Sequence, residues 1–231
     1  MSEPRTVKLF VKGNPAIADC VLAVADGGRR LDQGVAGRVA RAFPATTIEV
    51  TAEPSRGFHA LRLDLESRTS TLIESRPDVV LLSIADDVAT LAGLATVNEE
   101  AVARVRADLV AVVDLIKAEV GAHVLVANVS TFDPDDVTSN YHGLSEEPFS
   151  LRAHRLDLML VGVSHETGIS IIDVDRCIAE LGASGNVAGP ADYAPPGCAA
   201  VADEIVRVLE DYGFFDERSL VAQVGARTGS A

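Results

Sequence analysis

The sequence predicts a single three-layer α/β/α domain built on a parallel sheet of about five strands. Three observations predict it. Short runs rich in Val, Ile and Leu alternate with longer amphipathic segments throughout. The run Asp78-Val79-Val80-Leu81-Leu82-Ser83 is apolar without alternation, as in a strand covered on both faces. The chain has 231 residues, 48% hydrophobic and 23% charged, which suits one large core and not disorder.

Each element follows from local pattern. Val7-Lys8-Leu9-Phe10-Val11 is the first expected strand, stopped by Gly13-Asn14-Pro15. Residues 46–50 make the second, 78–83 the third, 123–127 the fourth and 169–174 the fifth. A helix is expected over 32–43, with Val35, Val39 and Phe43 at four-residue spacing. Another is expected over 56–76, closed by Pro77. Asn98 caps a third, whose stripe carries Val102, Val105, Leu109, Val112, Val113 and Ile116, with Gly121 just past its end. Ser145 opens a fourth running to Gly168, and the last covers 196–212 with Val201, Ile205, Val206 and Leu209 inward. Strands separated by helices of these lengths form βαβ units, hence a parallel sheet. The domain is expected over residues 1–215, followed by a polar tail over 216–231.

Charge narrows the partners. Twenty Lys and Arg against 34 Asp and Glu leave a net charge of −14. Such a surface repels phosphate backbones and anionic membranes, so neither nucleic acid nor a membrane is expected as partner. No apolar stretch approaches the ~20 residues of a spanning helix. The start, Met1-Ser2-Glu3-Pro4-Arg5, has an acidic residue and runs into a strand-like segment, so it is not expected to act as a secretory signal. Three cysteines, Cys20, Cys177 and Cys198, without CxxC spacing, point to a reducing cytoplasm rather than a disulfide frame or structural zinc. The oligomeric state is not legible.

In this fold class, ligands bind beyond the carboxyl ends of the parallel strands. That places Gly13, Asn14, Asp19 and Cys20 after the first strand, and Ser55, Arg56, Gly57 and His59 after the second. Asp86 and Asp87 follow the third strand, Asn128 and Ser130 the fourth, and Gly189-Pro190-Ala191-Asp192-Tyr193 the fifth and its short helix. No dinucleotide fingerprint or GxxxxGK[ST] loop is present, and the first loop lacks the Ser/Thr/Gly cradle that a flavin phosphate needs. No cofactor is expected. The five histidines contain no HExxH, and Asp133-Pro134-Asp135-Asp136 lacks the EF-hand pattern and reads as a solvated turn, so no metal is expected.

The second half carries a resemblance. His123-Val124-Leu125-Val126-Ala127-Asn128 is followed by a helix ending Ser164-His165-Glu166-Thr167-Gly168. Then come Ile169-Ser170-Ile171-Ile172-Asp173-Val174, and Asp192-Tyr193-Ala194-Pro195-Pro196-Gly197 leading into a final helix. This order resembles the SGNH/GDSL hydrolase superfamily, whose fold is flavodoxin-like and whose members hydrolyse esters, thioesters or acyl groups. The resemblance implies a nucleophilic serine in a GDS motif after the first strand. It implies oxyanion donors from a glycine and an asparagine in the next two blocks, and a D-x-x-H base before the last helix.

The chain departs from that pattern. Gly13-Asn14-Pro15 stands where GDS would, and proline is no nucleophile. A shifted alternative, Ala18-Asp19-Cys20, keeps the acid and replaces Ser by Cys. Gly57 fits the second block, Ile84-Ala85-Asp86-Asp87 occupies the third, and Asp192 and Gly189 stand at the His and Asp positions of the last. The resulting expectation is a divergent hydrolase or acyl-transfer enzyme acting on a small acylated molecule. Cys20 would attack, Asp192 or His142 would handle the proton, and Asn14, Gly57, Asp86 and Asp87 would line the oxyanion side. The alternative is a catalytically degenerate protein of the same fold that binds a small ligand there. For each residue a structural role competes: a buried hydrophobe for Cys20, helix entry for Asp192, a surface side chain for His142, and helix capping for Asp86 and Asp87.

Overall fold

The computed structural model describes residues 5–22, 24–25, 28–29, 33–92, 99–132, 149–189 and 191–216. Five strands form one sheet: β1 (Arg5–Gly13), β4 (Thr46–Pro54), β5 (Val79–Ser83), β6 (His123–Ala127) and β7 (Ser170–Ile172), in spatial order β4-β1-β5-β6-β7. Every pairing in it is parallel. Two short antiparallel pairs sit outside it, β2 (Val24–Ala25) with β3 (Gly28–Arg29), and β8 (Val187–Gly189) with β9 (Asp192–Tyr193). The chain steps from β1 outward to β4, then returns to β5 on the other side, so strand order reverses at β1/β5. The carboxyl ends of those two strands form the crevice where such sheets bind ligands.

Alternation along the strands divides the core. Val80, Leu82, Val124 and Val126 face α3 (Phe58–Glu66), α4 (Thr71–Ser75), α5 (Ala85–Ala92), α6 (Glu99–Glu119) and α7 (Phe149–Thr167). Val79, Leu81, Leu125 and Ala127 face α1 (Pro15–Leu22), α2 (Val35–Ala42), α8 (Val174–Leu181) and α9 (Pro195–Asp211). The three layers are therefore those expected, and the central strands are apolar except at Ser83 and His123 because both faces are covered.

Three expected elements differ. The helix expected over 56–76 is two helices, because Ser67 and Thr69 bond back to the Leu63 and Asp64 carbonyls and Arg68 takes φ 57°. The second strand runs on to Pro54, pairing residue by residue with β1 as far as Gly13. A helix, α1, begins at Pro15, where the sequence suggests only a stop; proline lacks the N–H that a first helical residue leaves unused anyway. The Asn98 cap, the Ser145 start, Asp133–Asp136 and residues 217–231 of the tail lie outside the described residues.

The end of the fold is clamped. Glu204 on α9, 7% exposed, accepts from Arg207 at 2.7 and 2.8 Å and pairs with Arg176 on α8 at 2.9 Å. Gly197, in the first turn of α9, lets that turn close on α8 and on the segment that enters β8. A Cβ there would lie 2.9 Å from the Asn186 carbonyl and 2.8 Å from Ile178 Cδ1. Gly197→Ala is expected to cost about 1–2 kcal/mol by overpacking, read as a lower urea midpoint; an unchanged midpoint would show that the turn has room to spare.

Candidate active site

The loops after β1, β4 and β5 and the segment before α9 meet at the reversal point. Asn14 is the hub. Its Nδ2 donates to the Ala191 carbonyl at 3.0 Å, and its Oδ1 accepts from the Ile17 N–H at 3.4 Å and from Ser83 Oγ at 3.4 Å. The Ile17 bond makes Asn14 the N-cap of α1. Ser83, the last residue of β5, is buried and also accepts from the Ala85 N–H at 3.2 Å. The loop after β4 joins through the Ser55 N–H, which donates to the Gly13 carbonyl at 3.1 Å.

Gly57 and Asp87 form the other wall. Gly57 sits at φ 87°, ψ 169°, and its N–H donates to Ser55 Oγ at 3.1 Å. The Asp87 carboxylate accepts from the Phe58 N–H at 3.1 and 3.3 Å, which caps α3 from across the crevice. Burial pushes the Asp87 carboxyl up to about 7, with the carboxylates of Asp86 and Asp108 adding to the rise against the Phe58 bond. Asp86, in the first turn of α5, is also raised by burial, and its Oδ2 is buried without a hydrogen-bond partner.

A second group lies beside the first. Cys20 is 1% exposed, and its Sγ lies 2.8 Å from Sγ of Cys198 in the first turns of α9. Cys198 is part-exposed, and its Sγ also lies 3.5 Å from the Tyr193 carbonyl. Burial raises the Cys20 thiol well above its ordinary range, whereas the bond from Cys20 lowers that of Cys198. Asp192 is exposed on β9 and faces Asp19, whose carboxyl is raised by burial and then by Asp192. Asn14 and Cys20 are roughly 9 Å apart along the α1 axis, six residues at the helical rise. The two groups touch through Ala191 and Asp192.

Of the residues singled out from sequence, Asn14, Gly57, Asp86 and Asp87 gather at the strand ends, and Cys20 and Asp192 gather at the thiol pair. His142 lies outside the described residues. The attacking role expected of Cys20 falls on a buried thiol, and Asn14 already spends its amide on Ala191. His59 turns away to Asp108 on α6, at 3.2 Å. Asn128 braces the start of α8, accepting from the Val174 and Asp175 N–H groups and donating to Asp173. Sequence reasoning missed Ser83 and Cys198. The signal for Ser83 was its place as the polar end of an apolar strand; for Cys198 it was the Pro-Pro-Gly helix entry just before it.

Among the described residues, two of the larger cavities lie away from the reversal point. One of about 630 Å³ borders the β7 edge, with Asp157, Asp173 and Arg176 in its wall, and one of about 790 Å³ lies between α6 and α7. Among the described residues, no group of three or more His, Cys, Asp or Glu is placed to hold a metal ion. No described helix is long and apolar enough to cross a membrane.

No protein-family model matches the sequence. No curated protein matches it either. Solved structures do match. The chain superposes on a member of the lipolytic G-D-S-L family from Veillonella parvula with a TM-score of 0.59 at 14% identity, covering 88% of this chain and 98% of that one. It superposes on Axe2, an acetylxylan esterase from Geobacillus stearothermophilus, with a TM-score of 0.63 at 18% identity, covering 89% and 95%. TesA gives a TM-score of 0.58 at 16% identity, covering 88% and 98%. The fold is therefore that of the SGNH/GDSL hydrolases, as the second half of the sequence suggested.

Proposed function

We propose that this chain is an SGNH-type hydrolase or acyl-transfer enzyme that takes an ester or thioester of a small molecule in the crevice at the strand ends. The observation that carries the reading is the Asn14 hub. Its bonds to Ser83 and Ala191 tie together the first, third and last blocks around which this fold builds an acyl site. The thiol pair supports a rewired nucleophile. Cys198 is the accessible member, the Cys20 S–H favours its thiolate, and it lies in the opening turns of a long helix whose dipole favours negative charge. Asp192, with Asp19 beside it, is the group proposed to take the proton. The working unit is the α/β domain of residues 1–215, and three free thiols support a reducing cytoplasm as its compartment.

The test is hydrolysis of short-chain p-nitrophenyl esters and thioesters by wild type beside Cys198→Ala, Cys20→Ala and Asp192→Asn. Wild-type turnover is expected, with Cys198→Ala reducing kcat/KM at least about a hundredfold. Turnover that survives in all three variants would refute the residue assignment.

A second reading, binding without turnover, is favoured by Pro15. It stands at the head of α1 in the nucleophile's usual place, and neither polar group of Asn14 is free. It predicts no turnover on the panel, together with a thermal shift from non-hydrolysable amide analogues of the same acyl groups.

A further inference from the structure

The three cysteines are not equivalent. Cys177, on α8, is buried beside Glu204, and burial pushes its thiol up to about 11. Cys20 and Cys198 come from elements 178 residues apart, yet their sulfurs lie 2.8 Å from each other. A disulfide needs sulfurs about 2.05 Å apart, so closing the gap takes a shift of less than about 1 Å. One partner is buried and the other reaches the surface, the arrangement of a resolving and a peroxide-sensing thiol.

We propose that Cys20 and Cys198 are a reversible redox pair, oxidised by a hydroperoxide to a disulfide that ties α1 to α9 beside the crevice. The Cys198 thiolate attacks one oxygen of hydrogen peroxide and the O–O bond breaks. The departing hydroxide takes up the proton that Cys198 gave, leaving as water, and Cys198 becomes a sulfenic acid. The Cys20 sulfur then attacks the Cys198 sulfur, the S–O bond breaks, and the hydroxyl leaves as a second water with the Cys20 proton. The two thiols lose two electrons, and the peroxide gains them. A dithiol returns the pair by exchange through a mixed disulfide. The bond would join the two segments whose Asn14–Ala191 contact closes the crevice, so the site would be pinned in the oxidised form. This inference goes beyond the functional reading and holds whether or not the pair also carries acyl chemistry.

The experiment uses the full chain, reduced and then treated with hydrogen peroxide, with remaining thiols capped by a maleimide and counted by intact mass. Two of the three thiols should disappear together and return with dithiothreitol, and a peptide map should show Cys20 joined to Cys198. They should react at least about tenfold faster than Cys177. The oxidised form should unfold roughly 5 °C or more higher than the reduced form. In Cys20→Ser, dimedone should trap a sulfenic acid on Cys198; in Cys198→Ser, Cys20 should stay reduced. Three cappable thiols after peroxide, a link to Cys177, or a bond only between chains would overturn the proposal, and the wild-type map decides it even if a variant fails to fold.

Discussion

Replacing Gly57 with alanine is expected to destabilise the protein by about 3 kcal/mol and to loosen the wall of the crevice first. Gly57 sits at φ 87°, ψ 169°, a region that residues with a side chain occupy only at a cost of about 1–3 kcal/mol. The added Cβ would also lie 3.0 Å from Asp87 Oδ1 and 3.4 Å from its Cγ. Asp87 would have to move, yet it is the group that accepts the Phe58 N–H and so caps α3. Strain and a lost cap therefore add. Gly121 supplies the control. It is left-handed too, at φ 72°, but nothing lies within 4 Å of where its Cβ would be. Gly121→Ala gives the cost of a positive φ without a clash, about 1 kcal/mol. Urea denaturation of both variants measures the difference; equal losses would mean that Asp87 plays no part in holding the loop.

That wall was half legible in the sequence. Gly57 could be picked out because a glycine after a strand, in a fold that binds ligands at strand ends, has few other reasons to be there. Its dependence on Asp87 could not, since the contact joins loops 30 residues apart. The strands show the same division. Residues 123–127 and 79–83 were readable because they are buried on both faces and so are apolar but for His123 and Ser83 at their ends. Residues 51–54 were not, because β4 is an edge strand whose outer positions are polar. Only its register with Phe10, Val11, Lys12 and Gly13, reinforced by the Lys12–Glu53 ion pair at 2.9 Å, extends it. Gly13-Asn14-Pro15 reads equally as a stop or as the entry to α1; Asn14 capping Ile17 decides for the helix. The thiol pair lay furthest from reach. Cys20 and Cys198 share no motif, and only the packing of α1 on α9 brings them together.

Folding stability is expected to fall as pH rises from about 4 to 7, and two carboxyls account for it. Burial lifts Asp87 to about 7, and it lifts Asp157 to about 7 as well, helped by Asp175 and Asp173. In the unfolded chain both ionise near 3.8. Between those values the native state holds protons that the unfolded state has lost, so raising the pH favours unfolding. The benefit is complete below about 4 and is gone once the pH has passed the folded value near 7. A displacement of three pH units corresponds to about 4 kcal/mol at most. Partial exposure of Asp157, and relaxation of the protein around a buried charge, leave on the order of 2 kcal/mol each.

Glu204 works the other way. The Arg207 bonds, with those of Arg176, hold it below the ordinary carboxylate range, so its contribution is lost as the solution becomes acid. The balance places maximum stability between about pH 4 and 4.5. Asp87→Asn keeps an acceptor for the Phe58 N–H while removing the charge, and Asp157→Asn removes the charge of a carboxyl whose Oδ1 is buried without a hydrogen-bond partner. The double variant should match wild type near pH 4 and exceed it by on the order of 4 kcal/mol at pH 8, read from urea midpoints across the range. Parallel profiles would mean that neither carboxyl keeps its proton in the folded protein. A profile flattened by Asp157→Asn alone would leave Asp87 ionised at neutral pH, a charged cap on α3 at the wall of the crevice, where it would repel any anionic ligand.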